Sequence, residues 1–281
     1  MISFPNSLRL ADRLAEYVLV RAIASNSAYQ LSRTISLFGE FLKAEPTVQD
    51  LTPETVNNFL ASLALTHSPR TVAGHRINLL GIWRFLAECG ACEAPRQIRH
   101  CRKPDPMPVA WTLDELRTLL ATAEKAVGTM EDGTPKSVYW SAVIRVAYDS
   151  ALRRSDLWLI RQDQIRSDGT IVLRQHKTGF AHHPRLSPKA LALIRQIKHD
   201  PPLAWQTTNI RQFYTEWKRL VRSAGIRPGC LQQIRRTAAT WLAKEHPEQV
   251  QRFLGHRSQS MQRHYVDLSI ASPQANLPPE L

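Results

Sequence analysis

From Pro95 to Pro108 the chain reads PRQIRHCRKPDPMP, a stretch with no hydrophobic period and a cluster of prolines, so neither a helix nor a strand runs through it intact. Read as a basic, Pro-rich linker over residues 95–110, it divides the chain into residues 1–94 and residues 111–281. Each piece is long enough to bury a core of its own.

The first piece reads as helix throughout. Leu8–Ile23 and Tyr29–Leu42 place apolar residues at three- and four-residue spacing. Thr52-Pro53-Glu54 and Ser68-Pro69-Arg70 each set a hydroxyl cap ahead of a first-position proline. The first opens a helix carrying Val56, Phe59, Leu60 and Leu63, the second a helix carrying Val72, Ile77, Leu80, Trp83 and Leu86. A unit of about four or five helices without strands is expected.

In the second piece Thr112 and Glu115 have the spacing of a capping box. Apolar helices are predicted from Val138 to Tyr148 and after Ser155. One strand pair stands out, Thr170–Arg174 with the segment around His183–Leu186, joined through a turn containing Gly179. Helix returns over Lys189–Lys198, Ile210–Ala224, Leu231–Lys244, Glu248–Leu254 and Ser260–Leu268. The expected fold class is mainly α: a helical domain, then a mixed α/β domain, mostly helical, with a small antiparallel sheet.

Charge narrows the partners. The chain holds 37 Lys and Arg against 24 Asp and Glu, a net charge of +13. The excess is uneven: residues 1–105 hold 12 basic and 9 acidic side chains, residues 106–281 hold 25 and 15. Arg outnumbers Lys in the second part, which suits bidentate phosphate recognition. A polyanion is favoured, since each phosphate neutralised releases a condensed counterion. A merely solvated basic surface is the plain alternative.

Four cysteines occur, Cys89, Cys92, Cys101 and Cys230. No secretory signal is read ahead of them and no apolar run is long enough for a membrane span, so a reducing cytoplasm with unpaired thiols is expected. Cys89 and Cys92, with His100 and Cys101 following, admit a metal knuckle, but the spacing is that of neither a ribbon nor a finger. Cys89 reads better as the end of an apolar helix, and no metal or other cofactor is expected.

Several residues are of a type that carries chemistry. Arg153 sits between two helices in SALRRSDL, with Ser155 as a candidate cap, where a helix N-terminus favours an anion; pairing with Asp149 or Asp156 is the plain alternative. Gln232 and Arg235 lie three apart at the start of one helix, next to Arg236, a pattern that also fits a solvated basic face. Gly255 reads as a helix C-cap after which His256 leaves the helix. Tyr265 falls in a helix expected to start near Ser258, where a tyrosine is ordinarily a core residue. Lys177 lies in the hairpin turn, ordinarily a solvated position.

Taken in order, these residues resemble the tyrosine recombinase (phage integrase) family. That family has an Arg in a GLRxSEL box, a Lys on a β-hairpin, an HxLRH box, an LGH box and a nucleophilic Tyr. Here the first is ALRRSDL with Arg153 and the second QHKTG with Lys177; QQIRR with Arg235, LGH with His256 and RHY with Tyr265 follow. Arg222–Ile226 and Ser68–Val72 also look like the family, so the resemblance covers most of the chain. One departure stands out: Gln232 occupies the place of the usual His. Gln can donate a hydrogen bond to a phosphate oxygen but exchanges no proton near neutral pH. Asp156 for Glu and Ile234 for Leu are milder changes.

The resemblance implies a core-binding (SAM-like) DNA-binding domain over 1–94 and a catalytic domain with a short tail over 111–281. It implies that Tyr265 attacks a scissile phosphodiester, forming a 3′-phosphotyrosine and releasing a 5′-hydroxyl. Arg153 and Arg235 would clamp the non-bridging oxygens, Lys177 would protonate the leaving oxygen from the minor groove, and His256 and Gln232 would complete the shell, with neither metal nor ATP. Arg70, Arg76, Arg102, Lys103, Arg154 and Arg236 are further candidates for DNA contact. The implied partners are double-stranded DNA with specific sites, gripped in a C-shaped clamp, and three further copies of the chain in a tetramer passing through a Holliday junction. With no arm-site domain ahead of the helical one, the simple two-domain type is expected, in the cytoplasm of a prokaryotic cell or encoded by a phage or mobile element. A type IB topoisomerase, and a DNA-binding relative without catalysis suggested by Gln232, are the alternatives.

Overall fold

The computed structural model describes residues 8–102, 107–207, 209–256 and 258–271. It divides into two units, residues 1–105 and 106–281.

The first unit is built on helices that start where their caps are. Thr52 and Ser68 each accept the backbone N–H three residues on, at 3.2 Å, and Pro53 and Pro69 follow. The helices are α1 (Leu10–Val20), α2 (Ser25–Leu42), α3 (Pro53–Thr66) and α4 (Pro69–Glu88), with Cys89 ending α4 as expected. Their apolar faces meet around Phe38, Phe59, Leu60, Ile82, Trp83 and Leu86. Ile77, read as part of the buried stripe of α4, instead lies 60% exposed on its outer face. After α4 the chain folds back: Trp83 donates to the Glu93 carbonyl, Asn57 to that of Gln97 and Arg76 to that of Arg99.

In the second unit the Thr112–Glu115 capping box is present and opens α5 (Leu113–Ala123). Next comes α6 (Lys136–Ser150), buried on nearly every side by residues such as Tyr139, Trp140, Val143 and Val146. A short α7 (Arg154–Leu157) leads to β1 (Leu173–Arg174) and β2 (Ala181–His182), an antiparallel pair with Leu173 opposite His182. The second strand thus falls earlier than the His183–Leu186 segment expected to form it, because Gln175 N–H bonds to the Phe180 carbonyl and closes a tight turn; Arg185 keeps a single bridge to Thr170. Then follow α8 (Pro188–Ile194), α9 (Ile210–Ser223), α10 (Leu231–Glu245), α11 (Val250–Leu254) and α12 (Leu268–Ala271).

The helix expected over Ser260–Leu268 is not continuous. Gln259–His264 forms a 3-10 turn, and Tyr265 stands just past its end with φ −128° and ψ −28°. The cause lies in α10. The Thr240 hydroxyl donates to the Tyr265 carbonyl at 3.4 Å and accepts from the Asp267 N–H at 2.9 Å, drawing this stretch onto α10.

All four cysteines are free thiols. Among the described residues no group of three or more His, Cys, Asp and Glu is placed to hold a metal ion, and no helix is long and apolar enough to cross a membrane.

Candidate active site

The site begins where α6 ends. Ala151 caps that helix in the left-handed conformation, φ 46°, and its carbonyl accepts a hydrogen bond from Arg235 Nη1. Arg153 follows in extended backbone, and its own carbonyl takes the N–H groups of Asp156 and Leu157. Arg153, not Ser155, is therefore the cap residue of α7. Its guanidinium, half-buried, donates to Gln175 Oε1 at 3.0 Å.

Arg235 comes from the inner face of α10. It is 1% exposed, so the reading of this stretch as a solvated basic face does not hold for it. Besides Ala151, its guanidinium donates to the Leu254 carbonyl and to His256 Nε2, each at 3.0 Å, and its Nε has no hydrogen-bond partner among the described residues. It lies over the ring of Tyr265, 4.7 Å from the centroid. The His256 and Tyr265 rings are 5.0 Å apart. Tyr265 is only 7% exposed, packed with Ala238, Ala239, Val250 and Leu254 of its own chain.

Gly255 makes this convergence possible. It ends α11 at φ 62°, and a Cβ there would stand 2.3 Å from Gln175 Nε2 and 3.1 Å from His182 Nδ1. Only glycine combines that backbone with that closeness. The chain then turns His256 toward Arg235.

The charges are unusual. Neither Arg153 nor Arg235 forms an ion pair with a carboxylate among the described residues. Burial, with Arg153 beside it, pulls the Arg235 guanidinium down to about 10, a shift the Tyr265 hydroxyl opposes. Burial, then the charge of Arg235, holds His256 and His182 each at about 4, so both are neutral at pH 7. A guanidinium only donates, so His256 Nε2 accepts and the ring proton sits on Nδ1, a buried atom with no partner among the described residues.

Arg153, Arg235, His256 and Tyr265 are thus brought together. Lys177 is exposed in the turn after β1, and the preceding N–H, of His176, is fixed at 2.8 Å by Asp156 Oδ1. Gln232 is exposed at the start of α10, one turn from Arg235. Of the further basic candidates, Arg70 and Arg102 are exposed and Lys103 lies outside the described residues. Arg76 is engaged with the Arg99 carbonyl. Arg154 stacks over Trp158 and Tyr214 at 4.6 and 5.5 Å. Arg236, half-buried, reaches Gln233 Oε1 at 3.5 Å.

Sequence reasoning missed Gln175 and His182. Both face inward, opposite the exposed Arg174 and Ala181. For His182 a polar residue at an inward strand position was the available signal, since such groups are buried only with partners; Gln175 lies just past β1.

Residues 111–271, more than half of the chain, match the sequence model of the phage integrase family. The chain belongs to the phage integrase family. Its enzyme class is that of the tyrosine site-specific recombinases. Tyrosine recombinase XerD of Listeria innocua serovar 6a is 20% identical over 288 residues, covering 92% of this chain and 94% of the relative. A lambda integrase tetramer bound to a Holliday junction superposes with a TM-score of 0.72 at 17% identity, over 99% of this chain and 81% of that one. The XerH recombinase in a post-cleavage complex with a palindromic difH substrate gives 0.68 at 17% identity, over 91% and 80%. These likenesses establish the fold. Against the pattern of the phage integrase family, Ala151 stands where the GLR box has glycine, and it keeps the left-handed backbone that glycine adopts more readily.

Proposed function

We propose that this recombinase cleaves and rejoins double-stranded DNA at specific sites through a 3′-phosphotyrosyl intermediate on Tyr265. The observation that carries the proposal is the buried guanidinium of Arg235, which among the described residues touches two carbonyls, a neutral imidazole and the Tyr265 ring but no carboxylate. A buried charge balanced so poorly is costly. A phosphodiester beside Arg153 and Arg235 would balance it.

In the proposed step the Tyr265 oxygen attacks phosphorus, and its proton passes to water as the P–O bond forms. The bond from phosphorus to the 5′ oxygen breaks, and that oxygen takes a proton from Lys177 to leave as a hydroxyl. Arg153 and Arg235 bind the non-bridging oxygens, whose charge grows in the transition state; removing one such donor costs about 10²- to 10³-fold in rate. His256 Nδ1–H and the Gln232 amide add donors. The reverse attack by a 5′-hydroxyl reseals the strand, so the covalent bond stores what ATP would otherwise supply. With the arginines carrying the phosphate charge, the step as drawn calls on no metal ion. Tyr265 rests on Arg235 of its own chain, which supports cleavage in cis.

The helical first unit, as a core-binding domain, would hold the duplex with Arg70 and Arg102 among its contacts. Arg154 is assigned to positioning Trp158 and Tyr214 rather than to DNA. Assembly of four copies on two sites, with a Holliday junction between exchanges, is proposed from the fold shared with lambda integrase. Such a protein would work in the cytoplasm, where its DNA is.

The test is covalent trapping. Purified protein is incubated with a fragmented genomic library, denatured in SDS, and the protein-linked ends are sequenced. Adducts on the 3′ side of one recurrent sequence are expected. Relaxation of any supercoiled plasmid without exchange between two marked duplexes would indicate a topoisomerase, and binding without adduct on nicked duplexes an inert relative.

A further inference from the structure

Gln175 is fully buried, and both ends of its amide are used. Its Oε1 accepts from Arg153 Nη1 and from the Thr178 hydroxyl, each at 3.0 Å. Its Nε2 donates to the Leu254 carbonyl at 3.3 Å, the same carbonyl that Arg235 grips at 3.0 Å. Its backbone carbonyl accepts from the N–H groups of Thr178 and Gly179, closing the turn that carries Lys177. The close approach of Gly255 leaves room for this side chain and for no added methyl.

We infer that Gln175 is the positioning residue that sets the Lys177 turn and the two arginines in one frame. The inference rests on the reading of Lys177 as proton donor and Arg153 and Arg235 as phosphate clamp. Geometry separates the two halves of the role. The link to Lys177 runs through the neighbouring Thr178, and the link to the clamp through Arg153 directly and Arg235 by way of Leu254. A charged carboxylate at this point would neutralise Arg153; a neutral amide holds it and leaves its charge for phosphate. The amide also has a donor for Leu254, which a carboxylate lacks.

The chemistry of the substrate reports each half. A bridging 5′ sulfur leaves without a proton donor, so it bypasses a displaced Lys177. A methylphosphonate lacks one negative charge, so it bypasses a displaced clamp. The experiment uses the full chain and the duplex recovered by covalent trapping, made with an ordinary, a sulfur-bridged or a methylphosphonate scissile linkage, and measures single-turnover adduct formation. Lys177→Ala is expected to be restored by sulfur alone and Arg153→Ala by methylphosphonate alone. Gln175→Ala is expected to slow on the ordinary duplex on the order of 10²-fold, since displacements near 1 Å have that effect, and to be restored in part by each analogue. Thr178→Val, a change in an exposed turn that spares the core, is expected to be restored by sulfur and not by methylphosphonate.

A Gln175→Ala protein that cleaves the ordinary duplex at the wild-type rate, or is slowed equally on all three, overturns the inference. If that variant does not fold, Thr178→Val decides, and absence of sulfur-specific rescue overturns it. Wild-type protein that forms no adduct on any duplex overturns the underlying reading instead.

Discussion

Arg235 and His256 share a hydrogen bond at 3.0 Å that survives only while the imidazole is neutral, because a protonated ring and a guanidinium are both donors. Burial beside the arginines holds His256, and His182 close by, at about 4, whereas an unperturbed histidine takes its proton at 6.5.

Stability is therefore expected to fall in mild acid. Between pH 6.5 and about 4 the unfolded chain binds protons at these two positions that the folded chain does not, so unfolding takes up protons and the folded state weakens as pH drops. Well above 6.5 the two histidines contribute no slope. Glu115, held at about 2 by its hydrogen bond from Arg227, adds a loss of its own only below the ordinary carboxylate range, near 4.5. Melting temperatures at pH 7, 6 and 5 check this, and the double variant His182→Gln, His256→Gln is expected to flatten the decline. An unchanged slope in that variant would place the proton uptake elsewhere.

Replacing Tyr265 by Phe keeps the ring that lies on Arg235 at 4.7 Å and removes only the attacking oxygen. Tyr265→Phe is expected to fold and to bind the trapped duplex with wild-type affinity in a gel-shift assay. It should yield no SDS-resistant adduct. A persisting adduct would identify another residue as nucleophile.

Gly255→Ala tests the closeness of α11 to the hairpin. An alanine at φ 62° with its Cβ 2.3 Å from Gln175 Nε2 must push the hairpin away or distort the helix end. A loss of roughly 1–3 kcal/mol is expected from the backbone strain alone. For a chain of this size that lowers the melting temperature by about 2–4 °C per kcal/mol. Calorimetry reads the first effect. Slower adduct formation, from displaced Gln175 and His256, reads the second, and a variant as stable and as fast as wild type would contradict the geometry.

What the sequence could convey depended on how far away the cause lay. Thr52, Ser68 and Thr112 announce their helices because each cap bonds a backbone N–H three residues on, within the sequence window itself. The order Arg153, Lys177, Arg235, His256, Tyr265 was legible as a family pattern. Tyr265 was misassigned to a helix because the hydroxyl that draws its carbonyl away belongs to Thr240, on α10. Gln175 looked like no more than part of the QHKTG turn because its partners, Arg153 and Leu254, meet it only in the folded chain. The left-handed backbone of Ala151 had only its alignment with the glycine of the GLR box to announce it, since alanine itself rarely adopts it.

Gln232 tests how much the site depends on its departure from the family's histidine. It is exposed at the first turn of α10, one turn from Arg235, so a histidine there meets no buried obstacle. An imidazole can donate to a phosphate oxygen as the amide does, and when protonated it adds positive charge beside the clamp. Gln232→His is therefore expected to match or exceed wild-type adduct formation at pH 7.5, with the advantage widening toward pH 6.5 as the new ring protonates. Single-turnover rates on the trapped duplex across that range check it. Complete loss of cleavage would mean that the pocket is built around the amide, with Gln232 holding a phosphate oxygen in a geometry an imidazole cannot copy.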